Sequence, residues 1–371
     1  FIKKARSNSK FISCVSIYNQ KSIEQLKEQL FTIKPKLKKE ENFFRYYVDR
    51  VFSPKGIGTV VTGTVLGNSC EVNEKIFHSQ KSKNIKIKNI QVHNENALEA
   101  KISNRAALNL QGINANDIKK GDLLTKKGFI RGFDTIDISF ETLENKKLNH
   151  NTNYTLFIGS KKLEVKVLLF ENTQPQDSGY ASIKADEKLY TIFGEKIILR
   201  QGNQTVAGGK VLNPVADPMK KPQKLELLKA LEASKFVESY DILLDAHKKG
   251  LGLVSSSQRF ALSHDDAIDF GRKLKNAFID EQELVIYPIA SKDKIKEYIK
   301  EIYEKNKYAL LSTASIKLRI KWASENFIAL ALKELEDENF LTCDGKLYKN
   351  ASIKKDFKEE LKDIVLNRLK E

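Results

Sequence analysis

The stretch from Val48 to Gly67, with the sequence VDRVFSPKGIGTVVTGTVLG, constrains the fold of this chain more than any other. Its first part ends at Ser53–Gly56, a run of residues that favours a turn. Residues 59–65 are almost all β-branched, which favours a pleated strand over a helix. Gly56 and Gly58 flank the turn, where glycine adopts a positive φ without steric strain. The stretch therefore predicts one hairpin of a β-barrel.

Several classes of site are excluded by spacing. Gly56-Ile57-Gly58 has a G-x-G pattern, but the dinucleotide fingerprint must open a helix, and here a strand is predicted to follow. The three cysteines are far apart and form no C-x-x-C pair, which argues against a zinc or disulfide framework and for a reducing compartment, the cytoplasm. The five histidines show no H-E-x-x-H spacing. We therefore predict no catalytic residue, no metal ligand and no cofactor-binding residue.

Charge points to a polyanionic partner. The chain of 371 residues carries a formal net charge of +16, which suggests nucleic acid. Solvated lysine-rich faces are the alternative interpretation. The part before Asp217 has 35 basic and 21 acidic residues, against 29 and 27 from that residue on. We therefore expect any phosphate backbone to be bound by the first part. No run of about 18 apolar residues is present, so no membrane partner is expected.

Two series of short β-branched runs, broken by Gly, Asn and Asp, predict two antiparallel barrels, at residues 39–130 and 131–216. Before them, residues 1–38 contain a predicted buried strand at Phe11–Val15 and a predicted helix at Ser22–Leu30, followed by a polar linker at Ile33–Glu41. The predicted strands are Tyr46–Phe52, Thr59–Leu66, Glu74–Ile76, Ile85–Val92, Arg105–Leu110 and Asp122–Leu124 in the first barrel, and Thr135–Phe140, Tyr154–Ile158, Leu163–Phe170, Gly179–Ile183 and Lys196–Leu199 in the second.

The segment Arg200–Pro214 is predicted to close the second barrel. Within it, Gly208-Gly209-Lys210 has the beginning of a phosphate-loop pattern. However, Val211 follows where Ser or Thr is required, and the next element is a strand rather than a helix. We therefore interpret the glycine pair as a turn and not as a phosphate cradle.

After a proline-bracketed linker at Asp217–Pro222, the pattern becomes helical. Two sets of three helices followed by strands predict winged-helix modules at 217–290 and 291–350, and residues 351–371 begin a further helical module. Asp344-Gly345 is a strong two-residue hairpin signal, and Ser324 is a predicted N-cap. The predicted helices are an apolar face at Leu225, Leu228 and Leu231, then Phe236–Ala246, Ala267–Phe278, Ile295–Tyr303, Ser315–Ile320, Ser324–Glu338 and Lys354–Lys370, and the predicted strands are Leu284–Tyr287, Phe340–Cys343 and Lys346–Lys349.

The motifs VDRVF, GIGTVVTGTVLG, RAALNL and GGKVLNP closely resemble those of translational GTPases of the elongation factor Tu type. Within that group they resemble the selenocysteine-specific translation elongation factor most. Residues 1–38 resemble the last strand and helix of its GTP-binding domain, whereas a G-x-x-x-x-G-K-[ST] phosphate loop does not occur in the chain. We therefore expect a fragment cut at its amino end. GTP and Mg²⁺ would be bound by the intact protein and not by this chain. Whether this chain is an enzyme stays open.

Three charged residues are the candidate site. Asp49 and Arg50 are adjacent on a predicted strand, so we expect them to point to opposite faces, and Arg105 begins another strand of the same barrel. From the residues alone, a structural ion pair or simple exposure is the alternative. The resemblance implies that Asp49, Arg50 and Arg105 form the pocket for the aminoacyl side chain. A selenol is largely ionised at neutral pH and a serine hydroxyl is not, so two arginines lining a barrel cavity would favour the anion.

The resemblance also implies the partners: selenocysteyl-tRNA, a ribosome that reads a UGA codon, and an mRNA stem-loop. A monomer is expected. In the second helical module, Lys317, Arg319 and Lys321 form a small basic cluster beside acidic residues, so that module is interpreted mainly as a spacer. Two alternatives stay open: a non-enzymatic winged-helix regulator that binds nucleic acid, and another translational GTPase of the same superfamily. The tandem helical modules argue against the second alternative.

Overall fold

The computed structural model of this chain describes residues 13–33, 43–353 and 357–368. They divide into two units. The first unit contains the residues up to Ser234 together with Ser255–Ser263, and the second contains Lys235–Val254 and the residues from His264 onward. No helix of the described part is long and apolar enough to cross a bilayer.

The first unit begins with one helix and nine strands. Six of the strands form a ring in the order β4-β9-β1-β2-β8-β5, and a further β4–β5 pairing closes that ring into an antiparallel barrel. The elements are α1 (Gln20–Thr32), β1 (Arg45–Phe52), β2 (Thr59–Leu66), β3 (Cys70–Glu71), β4 (Lys75–His78), β5 (Lys83–Val92), β6 (Glu95–Ala97), β7 (Glu99–Ala100), β8 (Arg105–Gln111) and β9 (Leu123–Thr125).

The side chains of β2 explain how it pairs with β1 in the barrel. Its side chains alternate strictly between buried and half-buried positions, as a strand with one face on a core requires. Gly63 occupies one inward position, where a Cβ would lie 2.9 Å from the ring of Tyr46 and 2.3 Å from the carbonyl oxygen of Tyr47. The turn before β2 places Gly56 and Gly58 at φ of 80° and 93°, as predicted. A glycine is therefore needed both at the turn and inside the strand.

Six strands form the second barrel, which is closed in the order β10-β13-β12-β11-β14-β15. Its interior is filled by aliphatic side chains from every strand, such as Ile138, Leu156 and Val167. The strands are β10 (Phe133–Thr142), β11 (Thr152–Ile158), β12 (Lys161–Leu169), β13 (Ser178–Leu189), β14 (Lys196–Gln201) and β15 (Gln204–Asn213). The predicted pair of antiparallel barrels is thus confirmed.

The interpretation of Gly208-Gly209-Lys210 as a turn is wrong, because all three residues lie inside strand β15. Gly209 is paired with Phe140 of β10, and a Cβ on it would lie 2.2 Å from the carbonyl oxygen of Ser139. The glycine therefore permits close approach of two strands rather than a change of direction.

Two helices from the helical half of the sequence belong to the barrel unit. They are α2 (Lys221–Glu232) and α4 (Ser256–Phe260). Between them in the chain lie α3 (Phe236–Ala246) and β16 (Leu251–Gly252), which belong to the second unit. Buried polar side chains attach both helices to the second barrel. Lys224 of α2 pairs with the buried Asp137 of β10 at 3.0 Å. Arg259 of α4 forms a two-bond pair with Asp217 at 2.7 and 2.8 Å.

The second unit continues with α5 (His264–Arg272), β17 (Ala277–Asp280), β18 (Val285–Pro288), α6 (Lys292–Lys305), α7 (Thr313–Arg319), α8 (Glu325–Asp337), β19 (Leu341–Asp344), β20 (Leu347–Asn350) and α9 (Phe357–Arg368). Strands β16, β18 and β17 form one small sheet, and β19 and β20 form a hairpin. The predicted N-cap is confirmed, since Ser324 Oγ accepts a hydrogen bond from Phe327 N at 3.2 Å. The helical region expected after the barrels is confirmed.

Two local predictions are wrong. The helix predicted at Ala267–Phe278 ends at Arg272, because residues from Ala277 pair with β18 instead. The buried strand predicted at Phe11–Val15 is not formed in its described part: residues 13–15 pair with no described strand, and Val15 is 44% exposed. Phe11 lies outside the described residues, as does the linker after Ile33. An apolar run makes a strand only when a neighbour accepts its backbone hydrogen bonds.

Candidate functional site

A β-bulge shapes the candidate site. In the β1–β2 pairing, Val48 lies opposite Gly63 and Arg50 lies opposite Thr62. Asp49 is therefore an extra residue of β1 that has no opposite residue in β2. The carbonyl oxygen of Val48 accepts hydrogen bonds from Gly121 N and Ser160 Oγ, each at 2.8 Å. The bulge is therefore held by backbone on one side and by the second barrel on the other.

The bulge changes the direction of the two charged side chains. Arg50 is exposed and faces Thr62, an outward position of β2. Asp49 reaches the same outer face, where it forms an ion pair with Arg105. The expectation that Asp49 and Arg50 point to opposite faces is therefore wrong. Strict alternation fails wherever one residue is inserted into a strand.

Arg105 is the cation of the site that has defined hydrogen-bond partners. It begins β8, lies opposite Thr64, and donates from Nη1 to Asp49 and to Thr64 Oγ1, the latter at 3.3 Å. Its side chain is nonetheless 61% exposed, against 27% for Asp49. The pair therefore fixes the guanidinium while leaving most of its donors open to a ligand.

Arg50 lies beside this pair, on the other side of β2. Among the described residues, no acceptor is recorded for its side chain. The two arginines thus flank one strand on the outer surface of the barrel. The expectation that they line a cavity inside the barrel is wrong, because apolar residues such as Val61 and Leu108 fill the interior.

Hydrogen bonds inside the barrel support the floor of the site. Tyr46 lies inside the barrel directly beneath it, and its single hydroxyl proton is shared between the carbonyl oxygens of Val61 at 3.1 Å and Ala106 at 2.9 Å. Burial raises the pKa of Tyr46 well above its ordinary value, so this hydroxyl stays protonated and keeps donating. The strand that carries Arg105 is thereby tied to β2 from within.

Contacts between the barrels adjoin the site, and no sequence pattern predicted them. Tyr47 is paired with Thr64 in β2, and its hydroxyl donates to Glu195 Oε2 of the second barrel at 2.8 Å. Loss of hydration raises the pKa of the Glu195 carboxyl, although hydrogen bonds from Thr191 and Tyr47 oppose the shift. Residues 148 positions apart meet here only because two barrels pack together.

The site is suited to binding an anion at a surface. Arg105 is paired with the carboxylate of Asp49, and Arg50, adjacent to Asp49 in sequence, adds a charge that no described carboxylate neutralises. Arginine stays charged at any physiological pH and offers up to five donors. Across the part of the chain that the structure describes, no group of three His, Cys, Asp or Glu side chains could hold a metal ion.

Comparison with known families matches residues 135–218, the second barrel, to the model described as "Selenocysteine-specific elongation factor, beta-barrel domain". The chain is 28% identical over 231 residues to the selenocysteine-specific elongation factor of Desulfomicrobium baculatum, covering 59% of this chain and 36% of that protein. It is 35% identical over 174 residues to the factor of the same name from Haemophilus influenzae, covering 46% of this chain and 28% of that one. The chain thus spans about a third of the length of these curated relatives.

Among solved structures, the crystal structure of a bacterial selenocysteine-specific elongation factor superposes with a TM-score of 0.70 at 19% sequence identity. The likeness covers 94% of this chain and 57% of that one. At this level of identity, the superposition supports the fold, and the sequence matches support the family.

Proposed function

We propose, from the premise that this chain belongs with the selenocysteine-specific elongation factors, that its barrel unit binds the aminoacylated end of selenocysteyl-tRNA. Arg105 and Arg50 would contact the ionised selenocysteine side chain. Asp49 would hold Arg105 in position. The observation that carries the proposal is the Asp49–Arg105 ion pair beside an exposed Arg50 on one outer face of the first barrel.

Discrimination would depend on charge. The selenocysteine and serine side chains differ in a single non-hydrogen atom, so shape alone separates them weakly. A guanidinium favours the anion over the neutral hydroxyl through charge-assisted hydrogen bonds, which are about twice as strong as neutral ones. Because Asp49 neutralises one of the two cations, the face keeps one net positive charge, enough to attract a single anionic side chain.

The intact protein would act as a translational GTPase in the cytoplasm as a monomer, with the ribosome and an mRNA stem-loop as partners. GTP and Mg²⁺ would be bound by a phosphate loop, and no G-x-x-x-x-G-K-[ST] pattern occurs in this sequence. None of the chain's described residues is therefore assigned to either group.

The second unit supports a subsidiary proposal. Helices α6, α7 and α8 followed by the β19–β20 hairpin have the order of a winged-helix module, and α3, α5 and the β16-β18-β17 sheet suit a module before it. The module boundaries at residues 217–290, 291–350 and 351–371 stay predictions. Lys317 is paired with Glu283, so the basic cluster around Arg319 is partly neutralised, which suits a spacer better than an RNA reader.

Filter binding of the whole chain tests the function. Selenocysteyl- and seryl-tRNA with the same tRNA body are compared for the wild type and for Arg105→Ala and Arg50→Ala. We expect each substitution to reduce the selenocysteyl-to-seryl affinity ratio by about tenfold, equivalent to about 1.4 kcal/mol. Arg272→Ala in the second unit, which removes an exposed arginine, is the matched control and should leave the ratio unchanged.

A pH series provides an independent test of the proposed charge recognition. The cysteinyl thiol ionises near pH 8.5, about midway through a series from pH 7 to pH 10, whereas the seryl hydroxyl does not ionise in that range. Cysteinyl-tRNA should therefore bind the wild type more tightly as pH rises, relative to seryl-tRNA, and Arg105→Ala should abolish the gain. The proposal would be contradicted if the arginine variants changed neither the selenocysteyl-to-seryl affinity ratio nor the pH dependence of the cysteinyl-to-seryl ratio. Tight binding of duplex DNA without any preference for tRNA would favour a winged-helix regulator instead.

A further inference from the structure

One cavity of the first unit is distant in sequence from Asp49 and Arg105 and has no role in the function proposed above. It is an open groove of about 870 Å³ on the outer face of the second barrel. Strands β14, β15, β10 and β13 form its floor, and the carboxyl-terminal end of α2 forms one wall. Its volume lies within the range of small-molecule sites.

The strand register defines the floor. One row of outward positions runs across the four strands from Lys196 through Lys210 and Ser139 to Tyr180. In the next row, Gly208 lies between Ile198 and Glu141. A Cβ on Gly208 would meet nothing closer than 3.9 Å, so the missing side chain leaves the floor open without being required by the packing.

Lys196 and Lys210 form an opposed pair of like charges. They are direct partners across β14 and β15, both are exposed, and no acceptor is recorded for either among the described residues. Like charges directly opposite each other in a sheet destabilise it. An anion placed between the two ammonium groups would remove that repulsion, so the pair marks the cationic end of the groove.

The other end of the groove offers hydrogen-bond acceptors. The Tyr180 hydroxyl donates to Glu232 Oε2 at 2.5 Å, at the carboxyl-terminal end of α2, where the helix dipole is also negative. Glu141 lies on the floor, opposite Gly208 and two residues along β10 from Ser139. The groove therefore combines two lysines on its floor with two carboxylates, that of Glu232 at the wall and that of Glu141 on the floor.

We propose that this groove binds a phosphorylated ribose unit. The phosphate would lie between Lys196 and Lys210, and the carboxylates of Glu232 and Glu141 would accept hydrogen bonds from the ribose hydroxyls. A carboxylate that accepts from ribose hydroxyls is a common arrangement in nucleotide sites. A free nucleotide and a strand of RNA share this chemistry.

Binding of three probes to the full chain, measured by calorimetry, tests the site: 5′-AMP, adenosine and hexaadenylate RNA. We expect 5′-AMP to bind at least tenfold more tightly than adenosine. Two variants should each weaken 5′-AMP binding by at least tenfold. The double variant Lys196→Ala with Lys210→Ala removes the phosphate contacts, and Gly208→Leu fills the floor.

The matched control is Lys248→Ala with Lys249→Ala, which removes the same charge from two exposed lysines of the second unit and should leave binding unchanged. The Lys196 and Lys210 variant should also keep or raise the melting temperature, because it removes a like-charge pair. Hexaadenylate binding more tightly than 5′-AMP identifies an RNA strand as the ligand, and equal binding identifies a free nucleotide. Absent binding of 5′-AMP, or equal binding by the wild type and both variants, would overturn the proposal.

Discussion

At the residue scale, single glycines decide where strands can approach. Gly63 and Gly209 both face a barrel interior, and a Cβ on either would overlap a backbone carbonyl oxygen. Gly208 is adjacent in sequence but faces outward with open space around it. Two neighbouring glycines of one strand therefore have different physical roles, one in packing and one in keeping a surface groove clear.

Gly209→Ala should destabilise the first unit, because the new Cβ must displace the Ser139 carbonyl oxygen that lies 2.2 Å away. Overpacking of this kind costs about 1–3 kcal/mol. Urea unfolding monitored by far-UV circular dichroism measures the loss. Gly208→Ala, the control next to it, should change the free energy of unfolding by much less, and equal losses for the two variants would contradict this account.

At the element scale, caps and bulges determine where each segment ends or bends. Helix α7 has only seven residues, and a capping box holds its start: Ser312 Oγ accepts from Ser315 N at 3.1 Å, and Ser315 Oγ accepts from Ser312 N at 2.9 Å. The bulge at Asp49 has a comparable effect on β1, where it turns two adjacent charges to one face. Both features lie at positions where the regular periodicity of the helix or strand is interrupted.

Ser312→Ala should weaken α7, because the first-turn N–H groups lose their acceptor. The expected cost is about 1 kcal/mol. The chain has one tryptophan, Trp322, in the second unit, so its fluorescence during urea unfolding reports on this region. Ser312→Asp restores an acceptor and should recover most of the stability; failure of Asp to recover it would assign the loss to something other than the cap.

At the scale of the whole molecule, segment Ser255–Ser263 belongs to the barrel unit although both its flanks belong to the other. Gln258 donates to the carbonyl oxygens of Arg131 at 2.8 Å and Thr191 at 2.9 Å, and its own carbonyl oxygen accepts from Phe193 N at 2.9 Å. Arg259 adds the buried pair with Asp217. The chain therefore returns to the second barrel after having left it.

Arg259→Ala should destabilise the barrel unit, because Asp217 would keep a buried charge without its cation; removing one member of a buried pair costs about 3–5 kcal/mol. The circular-dichroism transition of the strands should shift to lower urea, and the Trp322 fluorescence transition should shift less. Arg272→Ala breaks ion pairs of a side chain that is 57% exposed and should produce little change. An unshifted strand transition in Arg259→Ala would show that the pair does not hold this segment.

Several elements of both units could be predicted from sequence because their signals are local. The β-branched run at Thr59–Leu66 is a strand with those same bounds, and a hairpin forms at the predicted place, although its two turn residues are Gly345 and Lys346 rather than Asp344 and Gly345, because Asp344 pairs with Leu347. The helix predicted at Phe236–Ala246 also has the observed bounds. The site residues could be identified from the sequence. The directions of their side chains could not be predicted, because the two-residue alternation of a strand does not show where a bulge occurs.

The sequence by itself determined that short strands form two barrels and that a helical region follows them, because alternation and turn signals depend on neighbouring positions. Only the tertiary structure decided that Asp49 meets Arg105 on the outer surface, that Tyr47 meets Glu195, and that Lys196 opposes Lys210 above an open floor. Those contacts join residues that are far apart in the chain. Their geometry depends on barrel closure, strand register and packing, and no local pattern encodes these.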